Sequence, residues 1–237
     1  MAFDWQNRAA ARPGALAEVD AGLRQYMLRV YNYMGAGLAL TGIVAYLGAA
    51  SGFYASIAHS PLIYVVMFAP LGLVFLLAAR IQTMSLGAAQ ATFWIYAGLV
   101  GLSLSYIFLA YTGVSIVSTF FITGTMFLGT SLYGYTTGRD LTGMGSFMFM
   151  GLIGLVVAML VNMFLASPGL QFAISAIGVL VFTGLTAWDT QRIKEMYIEG
   201  DGEVIAGKKA IMGALTLYLD FLNLFLFMLQ FLGQRRD

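Results

Sequence analysis

From Val30 onward the chain alternates long apolar stretches with brief polar interruptions. Seven such stretches run approximately Tyr31–Ala50, Leu62–Ala79, Ala91–Tyr111, Val114–Tyr135, Met144–Leu165, Leu170–Trp188 and Ala210–Leu232. Each has the roughly 20 residues that a helix needs to cross a hydrocarbon layer of about 30 Å. Between Val30 and Thr190 the only charged residues are Arg80, Arg139, Asp140 and Asp189. A membrane barrel would show in-out alternation in segments of about 10 residues, and no such pattern runs through this chain. The pattern predicts an all-α membrane protein, a bundle of seven transmembrane helices. The links Thr112–Gly113 and Ala166–Gly169 are short enough to force antiparallel neighbours. The long link, Arg192–Lys209, is expected to be part helical extension and part turn. No shift in composition marks a second domain. Residues 1–29 are expected to form an amino-terminal tail and residues 30–237 a single seven-helix transmembrane domain.

Composition narrows the function. Of 237 residues, 60% are hydrophobic and 10% charged, with a mean hydropathy of +0.83. Soluble domains carry about 25% charged residues, so this chain cannot cover a water-soluble globule. There is no Cys, which excludes disulfides and thiolate metal sites. A net charge of +1 gives no nucleic acid a reason to bind. Orientation follows from Lys and Arg. Arg8, Arg12, Arg24, Arg29, Arg80, Arg139, Arg192, Lys194, Lys208 and Lys209 fall on one side, and only Arg235 and Arg236 on the other. The amino terminus is therefore expected in the cytoplasm and the carboxyl terminus outside. The polar segment Met1–Gly22 lacks the apolar run of a cleaved signal.

The costly residues carry the chemistry. In the last stretch Gly213, Thr216, Asp220, Asn223 and Gln230 recur at helical spacing and form one stripe on an otherwise Leu-, Phe- and Met-rich helix. Such a stripe must face protein or a water-filled path. Interhelical hydrogen bonding accounts for Thr216, Asn223 and Gln230 as well as a pore-facing role does. Asp220 is different, because a carboxyl group near the bilayer centre costs about 2.5–3.5 kcal/mol on insertion scales. Asp189 is the second acid, drawn at the end of the sixth stretch. It reads either as an interfacial carboxylate beside Arg192 and Lys194 or as a partner for Asp220. Two carboxyls brought together in a low dielectric cannot both ionise cheaply, so a pair would share one proton. Arg80, at the end of the second stretch, is the candidate compensating cation. Carboxylate oxygens also suit Ca²⁺, but two aspartates fall short of the 6–8 oxygens of a tight site, favouring weak, transient contact during passage.

Three motifs carry a family resemblance. Ser131-Leu132-Tyr133-Gly134-Tyr135-Thr136-Thr137-Gly138-Arg139-Asp140-Leu141, followed by Gly145-Ser146-Phe147, resembles the central signature of the bacterial Bax inhibitor-1 (TMBIM) family. Phe182-Thr183-Gly184-Leu185-Thr186-Ala187-Trp188-Asp189-Thr190-Gln191 is similar to its sixth-helix motif, and Leu217-Tyr218-Leu219-Asp220-Phe221-Leu222-Asn223-Leu224-Phe225 to its seventh. The resemblance runs from about Gln25 to the end. It implies seven helices with the last one central, and a pH-sensitive calcium leak sensed by paired aspartates at Asp189 and Asp220. It also implies that Arg80 is the basic residue near the pair. Calcium ions and protons are then the species handled, with no cofactor, in a bacterial inner membrane. Some bacterial members of the family instead bind a membrane-bound AAA protease, which implies a non-conducting regulator of a membrane partner. That partner's handle would be the tail Met1–Arg29 or the Arg192–Lys209 link.

Enzyme readings fare worse. An intramembrane aspartyl protease pairs Tyr-Asp with Gly-x-Gly-Asp, but Asp189 follows Trp188 and Asp220 follows Leu217-Tyr218-Leu219. A serine protease needs a His on a span, and the single His59 lies in a loop. A retinal protein needs a Lys in the last stretch, where none occurs.

Overall fold

The computed structural model describes residues 13–236, with side chains from Ala21 onward. Arg8, Arg12 and the first part of the expected tail lie outside the described residues. The helices are α1 (Pro13–Ala50), α2 (Phe53–Ile57), α3 (Leu62–Arg80), α4 (Leu86–Ser103), α5 (Ser105–Ala110), α6 (Gly113–Thr136), α7 (Thr142–Leu165), α8 (Pro168–Glu195) and α9 (Glu203–Leu232). Seven spans are long and apolar enough to cross a membrane, with α4 and α5 sharing the third. The chain is an all-α membrane protein.

Local chemistry sets the helix ends. Ser85, Thr112 and Ser167 cap α4, α6 and α8 by accepting hydrogen bonds from the Ala88, Ser115 and Leu170 amides. Pro168 opens α8, where its missing N–H costs nothing. Gly52, at φ 72°, takes the left-handed turn between α1 and α2. The break at Leu104 has a local cause. The Ser103 hydroxyl donates to the Val100 carbonyl and the Ser105 hydroxyl to that of Gly101, and such back-bonding bends a helix.

Three helices overrun the stretches that hydropathy predicted. Helix α1 begins at Pro13, so part of the expected tail is helix continuous with the first span. Helix α8 continues to Glu195, and α9 begins at Glu203, leaving only a short turn between them. A helix satisfies its own backbone, so it need not stop where the apolar residues do.

Helix α9 is the centre of the bundle. It packs most closely against α8, α1, α6 and α4, while α3 lies on α4 and α7 lies on α8 from outside. Its residues Leu217, Tyr218 and Leu224 are fully buried. Both ends of α9 are fastened. At one end Lys208 donates to the Gln82 carbonyl, while Lys209 donates to the Met196 carbonyl and pairs with Asp201. At the other, the segment after α9 lies along the α5–α6 turn. The Thr112 amide donates to the Gln234 carbonyl, the Arg236 amide to that of Ala110, and the Gln234 amide to the Ser115 hydroxyl.

Candidate functional site

The site is built where α8 meets α9. The sixth-helix motif uses most of its side chains to fasten α8 to the α6–α7 signature. Gly134 lies directly against the Ala187 backbone, and Gly145 against the Trp188 ring, so neither position has room for a Cβ. Gln191 grips the α6–α7 loop with both ends of its amide. Its Nε2 donates to the Arg139 carbonyl at 2.8 Å, and its Oε1 accepts from the Leu141 amide at 2.9 Å. Lys194 donates to the Tyr135 carbonyl at 2.9 Å with its ammonium over that ring. The Thr190 hydroxyl donates to the Thr186 carbonyl and so accepts from Ser131, whose own proton is thereby used, so Tyr31 of α1 donates to Ser131 at the far end of the chain. These contacts fix the rotation of α8 and leave Asp189 on its other side.

The antiparallel register does the rest. Ile193 packs at Gly213, and further along the pair Phe227 fills the space at Gly178 and stacks on Phe182 with ring centroids 5.8 Å apart. Residue 189 therefore falls at the level of 216–217 on α9, one turn from Asp220. The two carboxyl groups, Asp189 and Asp220, lie within hydrogen-bonding reach of each other. Both residues are buried, Asp189 at 8% exposure and Asp220 at 4%. Asp220 Oδ2 receives no hydrogen bond from any N–H or O–H among the described residues. A buried carboxyl oxygen whose polar neighbour is another carboxyl is satisfied only if a proton lies between them.

Asp189 was expected at the end of its helix. Because α8 continues to Glu195, it sits nearly two turns inside and comes within a turn of the depth of Asp220. The compensating cation also differs from expectation. Arg80 is exposed at the end of α3, a helix packed on α4. The positive charge that bears on Asp189 is Arg192, one turn along the same helix, its guanidinium 5.5 Å from the Trp188 ring centre. The i, i+3 spacing on α8 could have revealed it.

The stripe on α9 divides. The Thr216 hydroxyl donates to the Met212 carbonyl and the Asn223 amide to that of Leu219, so each is turned back on its own helix and half-buried. Gln230 belongs to an interhelical cluster. Its Oε1 accepts from Gln171 Nε2 at 2.8 Å and from the Ser175 hydroxyl at 3.3 Å, and Gln171 in turn accepts from Asn162. Sequence reasoning missed Tyr218, whose buried ring packs edge-on against Phe93 and Tyr96 of α4. Its hydroxyl lies 2.6 Å from that of Thr41, whose own proton goes to the Ala97 carbonyl, so Tyr218 is the donor. That bond ties α9 to α1 and α4 one turn from the acid pair.

Comparison with known proteins gives the family. A family model described as "Inhibitor of apoptosis-promoting Bax1" matches residues 23–237. An uncharacterised protein of Rickettsia prowazekii (strain Madrid E) is 53% identical, over 92% of this chain and 93% of its own. The inner membrane protein YbhL of Escherichia coli (strain K12) is 46% identical, over 95% of this chain and 98% of its own. An uncharacterised membrane protein of Streptococcus pyogenes serotype M3 is 38% identical, over 91% and 95% respectively. With the family model spanning everything from the first buried turn of α1 to the last residue, this chain is a member of the Bax inhibitor-1 family of membrane proteins.

Proposed function

We propose that the protein lets a cation, Ca²⁺ above all, pass down its gradient across a bacterial inner membrane under proton control. The observation that carries this reading is the buried Asp220 carboxyl, with Asp189 as its polar neighbour and one oxygen that no donor reaches. A carboxyl pair of this kind holds together around one shared proton. When that proton leaves, two like charges in a low-dielectric core repel, and α8 and α9 are driven apart. Low pH favours the closed, hydrogen-bonded pair. Two carboxylates contribute too few oxygens to store Ca²⁺ but enough to hand it on. Arg192, rather than Arg80, is the cation placed to stabilise a single remaining negative charge on Asp189. The amino-terminal side, with the α8–α9 turn, faces the cytoplasm by the Lys and Arg distribution, and the carboxyl-terminal segment faces out. The inner-membrane assignment rests on the name of the Escherichia coli relative. Ion passage is preferred to catalysis because the sequences around both acids depart from those of aspartyl proteases.

The test is calcium flux into dye-loaded liposomes carrying the purified protein, measured across pH for wild type, Asp189→Asn and Asp220→Asn. Wild type should conduct with a marked pH dependence, and each variant should flatten it. Unchanged flux in both variants would remove the pair from the mechanism. Flux no greater than through empty liposomes would leave the non-conducting regulator, a partner of a membrane protease or another membrane protein, as the better account.

A further inference from the structure

Helices α1 and α6 both pack on α9, but near the carboxyl-terminal end of the bundle they do not close on each other. The opening is a lateral cavity of about 250 Å³, walled by α1, α5 and α6 and floored by Phe221, Leu222 and Phe225 of α9. Its one polar wall group, Thr41, has its hydroxyl committed to Ala97 and Tyr218. Water needs two to four polar partners in a cavity, and none remain here. Left empty, the surrounding rings would forfeit dispersion contacts outright. The cavity therefore calls for an apolar occupant.

A second cavity of about 200 Å³ shares Phe108 with the first and is lined by Tyr46, Ala49, Ala50, Leu109 and Arg236. The Arg236 amide is bonded to the Ala110 carbonyl, and Arg235 stacks over Tyr111, so the cationic rim is fixed where α5 ends. From Ala50 to Leu38 along α1 is about 18 Å of helix, close to the half-thickness of a hydrocarbon core of about 30 Å. A cation at the interface, then an apolar slot one leaflet deep, is the shape and charge of one molecule.

We propose that this groove is a binding site for an anionic phospholipid, its phosphate on Arg236 and one acyl chain between α1 and α6 against the face of α9. The site is independent of whether ions pass. A lipid held there touches Phe221, next to Asp220 in the chain.

The test uses the full-length protein, stripped in detergent and re-exposed to phosphatidylglycerol or phosphatidylcholine, with retained lipid counted by native mass spectrometry. Wild type should retain phosphatidylglycerol preferentially. Gly42 lines the groove and has open space where a Cβ would stand, so Gly42→Leu starts a side chain into the slot. It should cut retention of both lipids about tenfold, the loss of several buried methylenes. Gly72→Leu, also facing open space but on α3, is the control and should change nothing. Arg236→Gln should lower phosphatidylglycerol retention about fivefold, the worth of one basic residue at a lipid surface, and lower phosphatidylcholine, whose choline offsets its phosphate, by less. A Phe225→Trp variant gives a second reading: trace phosphatidylglycerol brominated on its acyl chain should quench its fluorescence more than brominated phosphatidylcholine does. Retention in Gly42→Leu equal to wild type, or equal quenching by the two lipids, would overturn the proposal.

Discussion

The fifth and seventh spans look alike in sequence and live in different surroundings. The α7 window is the more hydropathic of the two, yet 6% of it is buried within the protein, against 72% for α9. Phe164, Met163 and Leu160 of α7 are exposed; Leu217, Leu224 and Leu229 of α9 are sealed. In a bilayer, greasiness records the solvent and says nothing of depth within the bundle. What distinguishes the two is the polar content. Helix α9 keeps Asp220 because protein surrounds it at that depth; the middle of α7, from Met150 to Val161, carries no polar side chain.

Substitutions on the two helices sharpen that contrast. The largest effect is expected from Phe227→Ala, which empties the stack on Phe182 and should cost about 3–5 kcal/mol of unfolding free energy. Phe164→Ala, on an 83%-exposed side chain of α7, should be near neutral in the same denaturation assay. Next comes an acid on the wrong helix: Val157→Asp on the lipid face of α7 should reduce insertion by about 2.5–3.5 kcal/mol in a glycosylation-reporter assay. Equal tolerance of an acid there would break the distinction. Within α7 itself, Gly145→Leu drives against the Trp188 ring and should destabilise by about 1–3 kcal/mol, whereas Gly154→Leu meets open space and should shift thermal unfolding hardly at all. Tyr218→Phe removes one buried donor while Thr41 keeps its bond to Ala97, for a loss of about 0.5–1.5 kcal/mol. The smallest effect concerns the mouth of α7. The Thr142 amide and hydroxyl stabilise the exposed Asp140 carboxylate and hold its pKa below the usual carboxylate range. That local order is present above the ordinary carboxylate pKa and lost as pH falls through the lowered one. The Thr142 amide should accordingly lose exchange protection only at acid pH, and in Asp140→Asn its protection should be low throughout.

Much of this was legible in advance, and the exceptions have common causes. The seven spans were readable because hydrocarbon imposes a length and a polarity on every crossing segment. The start of α9 at Glu203 was not, because Lys208 and Lys209 break the apolar run while leaving the helix intact. The same blindness put Asp189 at a helix end. The pair itself could be suspected from two costly acids on successive spans. Its depth match depended on register, which is fixed by Gly178 and Gly213 yielding to Phe227 and Ile193. Arg80 was chosen by its isolation in the sequence; Arg192 was read beside Asp189 as an interfacial neighbour and not as the cation of the pair. The Tyr31–Ser131–Thr190 chain joins residues far apart in sequence, and each hydroxyl alone is unremarkable in a membrane helix.

The fastening of α9 at both tips has a mechanical corollary. With Lys208 and Lys209 gripping one end and the backbone of residues 234–236 gripping the other, a piston stroke of the central rod would have to break both sets of bonds. The less costly way to part Asp189 from Asp220 is for the surrounding staves to swing sideways from that axle.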